Sequence, residues 1–202
     1  MCNRYQLRSS LRKIRQAFGV TTELFEPAIP AEYFPGSVVP VIRGAQQERE
    51  LLGIPWGIQL GRHRVTNSRD DKIDSVWKRF MSSRVVFPVD RAIEWHYGLD
   101  LFGQPSGKPK PWSIERADGE PAAIAGIASD QGVSMLTCPA DDLYRDVHNK
   151  SPEDPRMVVY LVEAEDVNRW LDRELSLDEI RPLIRPAPAG WLVGSPLNPP
   201  AI

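Results

Sequence analysis

The chain's most distinctive chemical group is a cysteine at position 2. Its small side chain permits trimming of Met1, after which Cys2 would carry a free α-amine and a thiol on adjacent carbons. The amine, with a reference pKa of about 7.7–8.0, is partly neutral near neutral pH, and a thiol at about 8.5 supplies a minority thiolate. An aldehyde meeting that pair gives an imine and then a thiazolidine ring, whereas an amide or ester is attacked by the thiol alone. On position alone a terminal cysteine is more often frayed and idle, so the other residues must decide.

Glu94 stands between Ile93 and Trp95 in an apolar run. A buried carboxylate is costly unless paired or used, and burial would raise its pKa into the range of a general acid or base. Strand parity alone leaves its two faces, core and solvent, equally open. His148 follows a short helical stretch, where an imidazole can cap the helix or move a proton. Asn67 and Arg69 lie two apart, so one side of an extended segment would present an amide that could orient an amine and a guanidinium that could hold a phosphate. Trp56 and Trp95 could stack on bases or pack in the core.

These residues need a body to hold them. With 202 residues, 42% of them hydrophobic, the chain suits one domain with a real core. Nineteen prolines and fourteen glycines, set among short apolar runs, favour strands and turns over a helix bundle. There is no membrane-spanning run and no signal-peptide pattern, which points to the cytoplasm. Cys2 and Cys138 are the only cysteines, and with three histidines they offer no zinc spacing. A net charge of −2 announces no bulk attraction to nucleic acid, but Arg4, Arg8, Arg12, Lys13 and Arg15 form a local basic stretch without an acid. Phosphate-binding glycine loops and a G-x-S-x-G elbow are absent.

The patterning predicts an amphipathic helix over 7–18, an edge strand at Val38–Ile42 interrupted by Pro40, a strand from Ile54 to Leu60 and a second helix at about 71–80. Val85–Val89 and Ile93–Tyr97 read as a strand pair turning at Asp90-Arg91. Residues 98–111 read as a mobile loop, and Asp118-Gly119 as the turn of a hairpin joining 112–116 to 122–128. A strand at 133–137, a short helix ending at Val147 and a strand at 157–162 follow. Next come a helix carrying Val167, Trp170 and Leu171, then a capping box at Ser176 and Glu179. The tail from Pro186 reads as irregular. The expected fold is a single α+β domain over 1–202, a mainly antiparallel, barrel-like sheet with flanking helices.

Five segments in order resemble the SOS response-associated peptidase (SRAP) family. They are Met1-Cys2-Asn3-Arg4, Trp56-Gly57, Asn67-Ser68-Arg69-Asp70-Asp71, the run from Pro88 to Glu94-Trp95, and His148-Asn149-Lys150. The resemblance implies binding of single-stranded DNA and a thiazolidine crosslink between processed Cys2 and the ring-opened aldehyde of an abasic site. It also implies autoproteolytic exposure of that cysteine. On this likeness Cys2 is the nucleophile, Asn67 and Glu94 organise and protonate the reacting centre, His148 assists proton transfer, and Arg4 and Arg69 hold phosphates. Asn3 replaces the family glycine, and Arg91-Ala92-Ile93 replaces Gly-Phe-Tyr. Lys150 replaces an arginine, and 151–155 looks inserted, which makes Arg156 a second candidate for that arginine's work. The expected partner is abasic single-stranded DNA, with no metal, cofactor or membrane, for a monomer in the cytoplasm associated with the nucleoid. Two other readings stay open, a terminal-cysteine amidase or peptidase acting without DNA and a non-catalytic single-strand-binding module.

Overall fold

In a computed structural model of the chain, residues 2–45, 47–102, 104–150 and 152–197 are described. Met1, Gly103, Ser151 and the final residues with Pro199 and Pro200, all touched by the expectations above, lie outside them. The elements in chain order are β1 (Tyr5–Leu7), α1 (Leu11–Phe18), β2 (Val20–Glu23), β3 (Ala31–Tyr33), β4 (Val38–Arg43), β5 (Arg49–Pro55), β6 (Ile58–Leu60), β7 (His63–Val65), β8 (Asn67–Arg69), β9 (Arg84–Val89) and β10 (Arg91–Leu99). They continue with β11 (Pro105–Arg116), β12 (Ala122–Ala128), β13 (Val133–Pro139), α2 (Asp142–Val147), β14 (Arg156–Val158), β15 (Tyr160–Leu161), α3 (Ala164–Leu171), α4 (Leu177–Ile180) and β16 (Leu192–Pro196).

One sheet runs β16-β11-β10-β1-β3, and the second runs β14-β13-β12-β9-β4-β5-β2 with β8 beside β13 and β15 beside β12. Pairing is antiparallel except at β2–β5 and β8–β13. A single apolar cluster draws Tyr5, Ala92 and Ile114 from the first sheet and Val41, Val86 and Ile124 from the second. The result is the expected α+β, mainly antiparallel fold, although its strand paths are open at both ends and do not close into a barrel.

Several boundaries differ from the patterning, each for a local reason. Leu7 belongs to β1, not to the first helix, because the Asp90 carboxylate accepts the Ser9 amide at 2.7 Å and the Ser9 hydroxyl at 2.6 Å. The helix then starts behind Ser10, whose hydroxyl accepts the Lys13 amide, and it ends on Gly19 at φ 62°. The expected helix at 71–80 is two 3-10 turns, 70–72 and 78–80. There the Asp70 carboxylate takes the Asp71 amide, and such side-chain bonds compete with a helix. Ile73 and Trp77 are nevertheless buried.

β4 is an interior strand, with Pro40 opposite Gly53 on β5. On the other side only Ile42 pairs with β9, so the missing proline amide breaks no ladder bond there. The expected pairing of 85–89 with 93–97 does not occur, because β9 and β10 lie in different sheets and Asp90 is the crossover. The same holds for β11 and β12 across Asp118-Gly119. The segment read as a mobile loop is a hairpin arm, in which Leu99 pairs with Pro105 and His96 with Lys110. Its prolines sit where no third strand follows among the described residues, since β16 pairs with Trp112–Arg116. That pairing also makes 192–196 of the expected irregular tail a strand. Strand 54–60 breaks at Trp56-Gly57, where Gly57 has φ 127°.

Candidate active site

The amino-terminal segment is laid down by β1, which sits between β10 and β3 with Tyr5 opposite both Ala92 and Tyr33. Ahead of it, Cys2, Asn3 and Arg4 run alongside β10, and the Ile93 amide donates to the Arg4 carbonyl at 2.9 Å. Cys2 is 1% exposed, and its thiol donates to the same carbonyl at 3.3 Å. Burial, with the nearby Glu94 charge, pushes its pKa up to about 12, so the thiol is protonated at neutral pH.

Three other elements converge on it. Asn67 opens β8, which pairs with Met135 of β13; its side-chain amide donates to the Cys2 carbonyl at 2.9 Å and to the Thr66 hydroxyl at 3.2 Å. Glu94, on β10, is 1% exposed: the open question of its face resolves to the core. Its Oε2 accepts from His148 Nδ1 at 2.9 Å. His148 is the C-cap of α2, as its position suggested, with its amide donating to the Tyr144 carbonyl. Beneath this group the Tyr144 and Tyr160 hydroxyls meet at 2.7 Å, and burial first, then their neighbours' charges, hold both far above the ordinary tyrosine range. Nothing in the sequence pattern marked this tyrosine pair.

Asn3, in place of the family's glycine, is exposed, and no described non-glycine residue has positive φ. The backbone there asks for nothing an asparagine lacks. A carboxylate–imidazole pair beside a thiol, with an amide fixing the next peptide, can take a proton from one atom and return it to another.

The residues expected to hold DNA divide differently. Trp56 is wholly buried, stacked edge-on to Tyr5 with its ring N–H on the Thr66 carbonyl, so it is a core residue and cannot stack on a base. Trp95 is 36% exposed. The Arg4 guanidinium lies 5.9 Å from the Trp95 ring and 5.7 Å from the Phe34 ring, while Glu32 takes it at 2.9 and 3.0 Å. Arg69 is clamped by Asp71 at 2.9 and 3.0 Å and by Asp154, from the segment read as inserted, at 2.5 Å. Arg156 is 6% exposed and bound to Asp70, which removes it as a phosphate contact. Lys150 is exposed and has no ion pair among the described residues. Neither Glu32 nor Asp154 carried a signal in the sequence, because each acts on an arginine far along the chain.

The sequence profile described as SOS response associated peptidase (SRAP) matches residues 1–199. The chain belongs to the SRAP family. Its membership associates it with the SOS response and with peptidase-type activity. A solved protein from Bordetella bronchiseptica shares 26% identity over 98% of this chain and 100% of its own, with a TM-score of 0.80. Two further structures show the same fold. One from Bacteroides thetaiotaomicron has 18% identity, TM-score 0.76, and coverage of 98% and 92%; a phage-related protein from Bordetella bronchiseptica has 20%, 0.77, and 98% and 95%. No curated protein matched by sequence. Among the described residues of this SRAP chain no side chains are grouped to hold a metal ion, and no helix is long and apolar enough to cross a membrane.

Proposed function

We propose that this SRAP protein captures abasic sites in single-stranded DNA through a thiazolidine on Cys2, once Met1 has been removed. The observation that carries the reading is the convergence of Cys2, Asn67, Glu94 and His148 from four separate elements, with Asn67 at 2.9 Å from the Cys2 carbonyl and the Glu94–His148 pair at 2.9 Å.

The neutral α-amine attacks the C1′ aldehyde of the opened sugar, forming a C–N bond, and the carbinolamine loses its hydroxyl as water after receiving a proton from Glu94 or His148. The Cys2 sulfur then adds to the imine carbon while its proton passes to the imine nitrogen. The sum is one C–N bond, one C–S bond and one water. A thiol held protonated suits this order, since the amine acts first and the sulfur surrenders its proton only on ring closure. Asn67 fixes the peptide that follows the reacting amine and thiol, and on this reading Trp95, packed against Arg4, and Arg69 are the residues that contact the bound strand.

The test is the intact mass of the purified protein before and after exposure to an abasic oligonucleotide. The first spectrum reports loss of Met1 and the second a denaturation-resistant adduct; Cys2→Ala is expected to form none, and an unchanged adduct yield in that variant defeats the proposal. The family's peptidase description favours a second reading, attack of the Cys2 thiol on amides. Turnover of a peptide without DNA, lost in Cys2→Ala, would support it.

A further inference from the structure

Where β10 and β11 lose register, an asparagine side chain takes the place of a strand. The two strands pair from Ala92 to His96 and again at Gly98 and Leu99, with the register shifting in between. Tyr97 lies at that shift on the edge of β10 that faces away from β11, the edge on which the Ile93 amide meets the Arg4 carbonyl, so its backbone N–H and C=O take partners from outside the β10–β11 ladder. Asn149 supplies both: the Tyr97 amide donates to its Oδ1 at 2.9 Å, and its Nδ2 donates to the Tyr97 carbonyl at 2.8 Å. A primary amide presents the same donor and acceptor as a peptide unit.

Asn149 follows His148, and Tyr97 lies three residues beyond Glu94. The end of α2 is therefore fastened to β10 at two neighbouring points, His148 on Glu94 at 2.9 Å and Asn149 on Tyr97. His148 itself, at φ −91° and ψ 66°, has left the helical conformation, and α2 has only six residues. The helix therefore holds His148 from one side only.

We infer that Asn149 is a positioning residue, whose amide docks on the Tyr97 backbone and thereby holds the His148 imidazole on Glu94 for proton transfer at Cys2. The inference rests on the reading of the site given above.

The test compares wild type, Asn149→Ala and Asn149→Asp in single-turnover adduct formation, in the ring 15N shifts of His148 and in thermal melting. His148→Gln assigns the resonances. Asn149→Ala is expected to slow the saturated rate about tenfold or more, the scale of a misplaced catalytic group, with the half-saturating oligonucleotide concentration unchanged. Its His148 ring nitrogens should move from two distinct values toward the averaged values of an exposed histidine. Asn149→Asp, which retains an acceptor for the Tyr97 amide, should fall between, and all three proteins should melt within a few degrees of one another. Ring shifts unmoved in Asn149→Ala overturn the positioning role whatever the rate does. If wild type forms no adduct while the shifts move, the reading of the site falls and the brace stands; normal adduct formation in Asn149→Ala with unmoved shifts has the opposite meaning.

Discussion

Around Cys2, polar side chains from distant parts of the chain point at the reactive residue and at one another; around Arg4 and Arg69 they are carboxylates, and each arginine is already occupied. The two regions lie side by side and differ in burial. Glu94 and its imidazole partner sit at 2% and 17% side-chain exposure, where solvent screens little, whereas Arg69 and Asp154 stand at 36% and 50%. An exposed ion pair is worth about 0–1 kcal/mol, so a phosphate can displace a carboxylate from the rim at small cost. The centre is thus built to hold one geometry, and the rim to exchange partners.

The comparison can be broken most decisively at its core. Cys2→Ala should abolish the adduct altogether, while Arg4→Ala and Arg69→Ala should only weaken binding; a titration of adduct yield against oligonucleotide concentration separates the two. Glu94→Gln, which keeps the shape but loses the charge, should slow adduct formation about a hundredfold at saturating DNA, the usual scale for losing a general acid or base. Single-turnover rates check this, and a loss confined to the half-saturation concentration would place Glu94 with the rim.

The rim sharpens the contrast because its sign is reversed. Glu32→Gln and Asp154→Asn should tighten binding of single-stranded DNA by about threefold to fivefold each, since each removes a competitor worth at most about 1 kcal/mol. Fluorescence anisotropy at low salt reads this directly, and weaker binding in either variant would mean the carboxylates position the arginines instead of competing for them. The smallest expected effect is a flat one. Burial pushes both Cys2 and Cys138 up to about 12, so in protein retaining Met1 the rate of iodoacetamide alkylation should show no thiol step near the ordinary value of about 8.5. The same shift carries a stability sign. These thiols stay neutral in the fold and ionise first in the unfolded chain, so stability is untouched below about 8.5 and declines as pH climbs toward about 12. Alkaline melting curves report it.

Much of the centre was legible because motif order survives in the chain itself. Cys2, Asn67, Glu94 and His148 could all be picked out, yet Glu94 was poised between core and solvent until β10 took its place between β1 and β11. The aromatic residues show the limit: Trp56 and Trp95 look alike as potential stacking residues, but one is core and the other is 36% exposed. Arm 98–111 was missed because glycine and proline composition reports local preference, while its strands are held by pairing across the hairpin.

By itself the sequence determined what Cys2 can become, since an amine and a thiol on adjacent carbons are a covalent fact, along with local devices such as the Ser10 cap and the Ser176–Glu179 capping box. Only the tertiary structure decided which cations are already engaged. Arg4 meets Glu32 across 28 positions, Arg69 meets Asp154 across 85 and Arg156 meets Asp70 across 86. Charge pairing follows distance through space, and no separation along the chain reveals it.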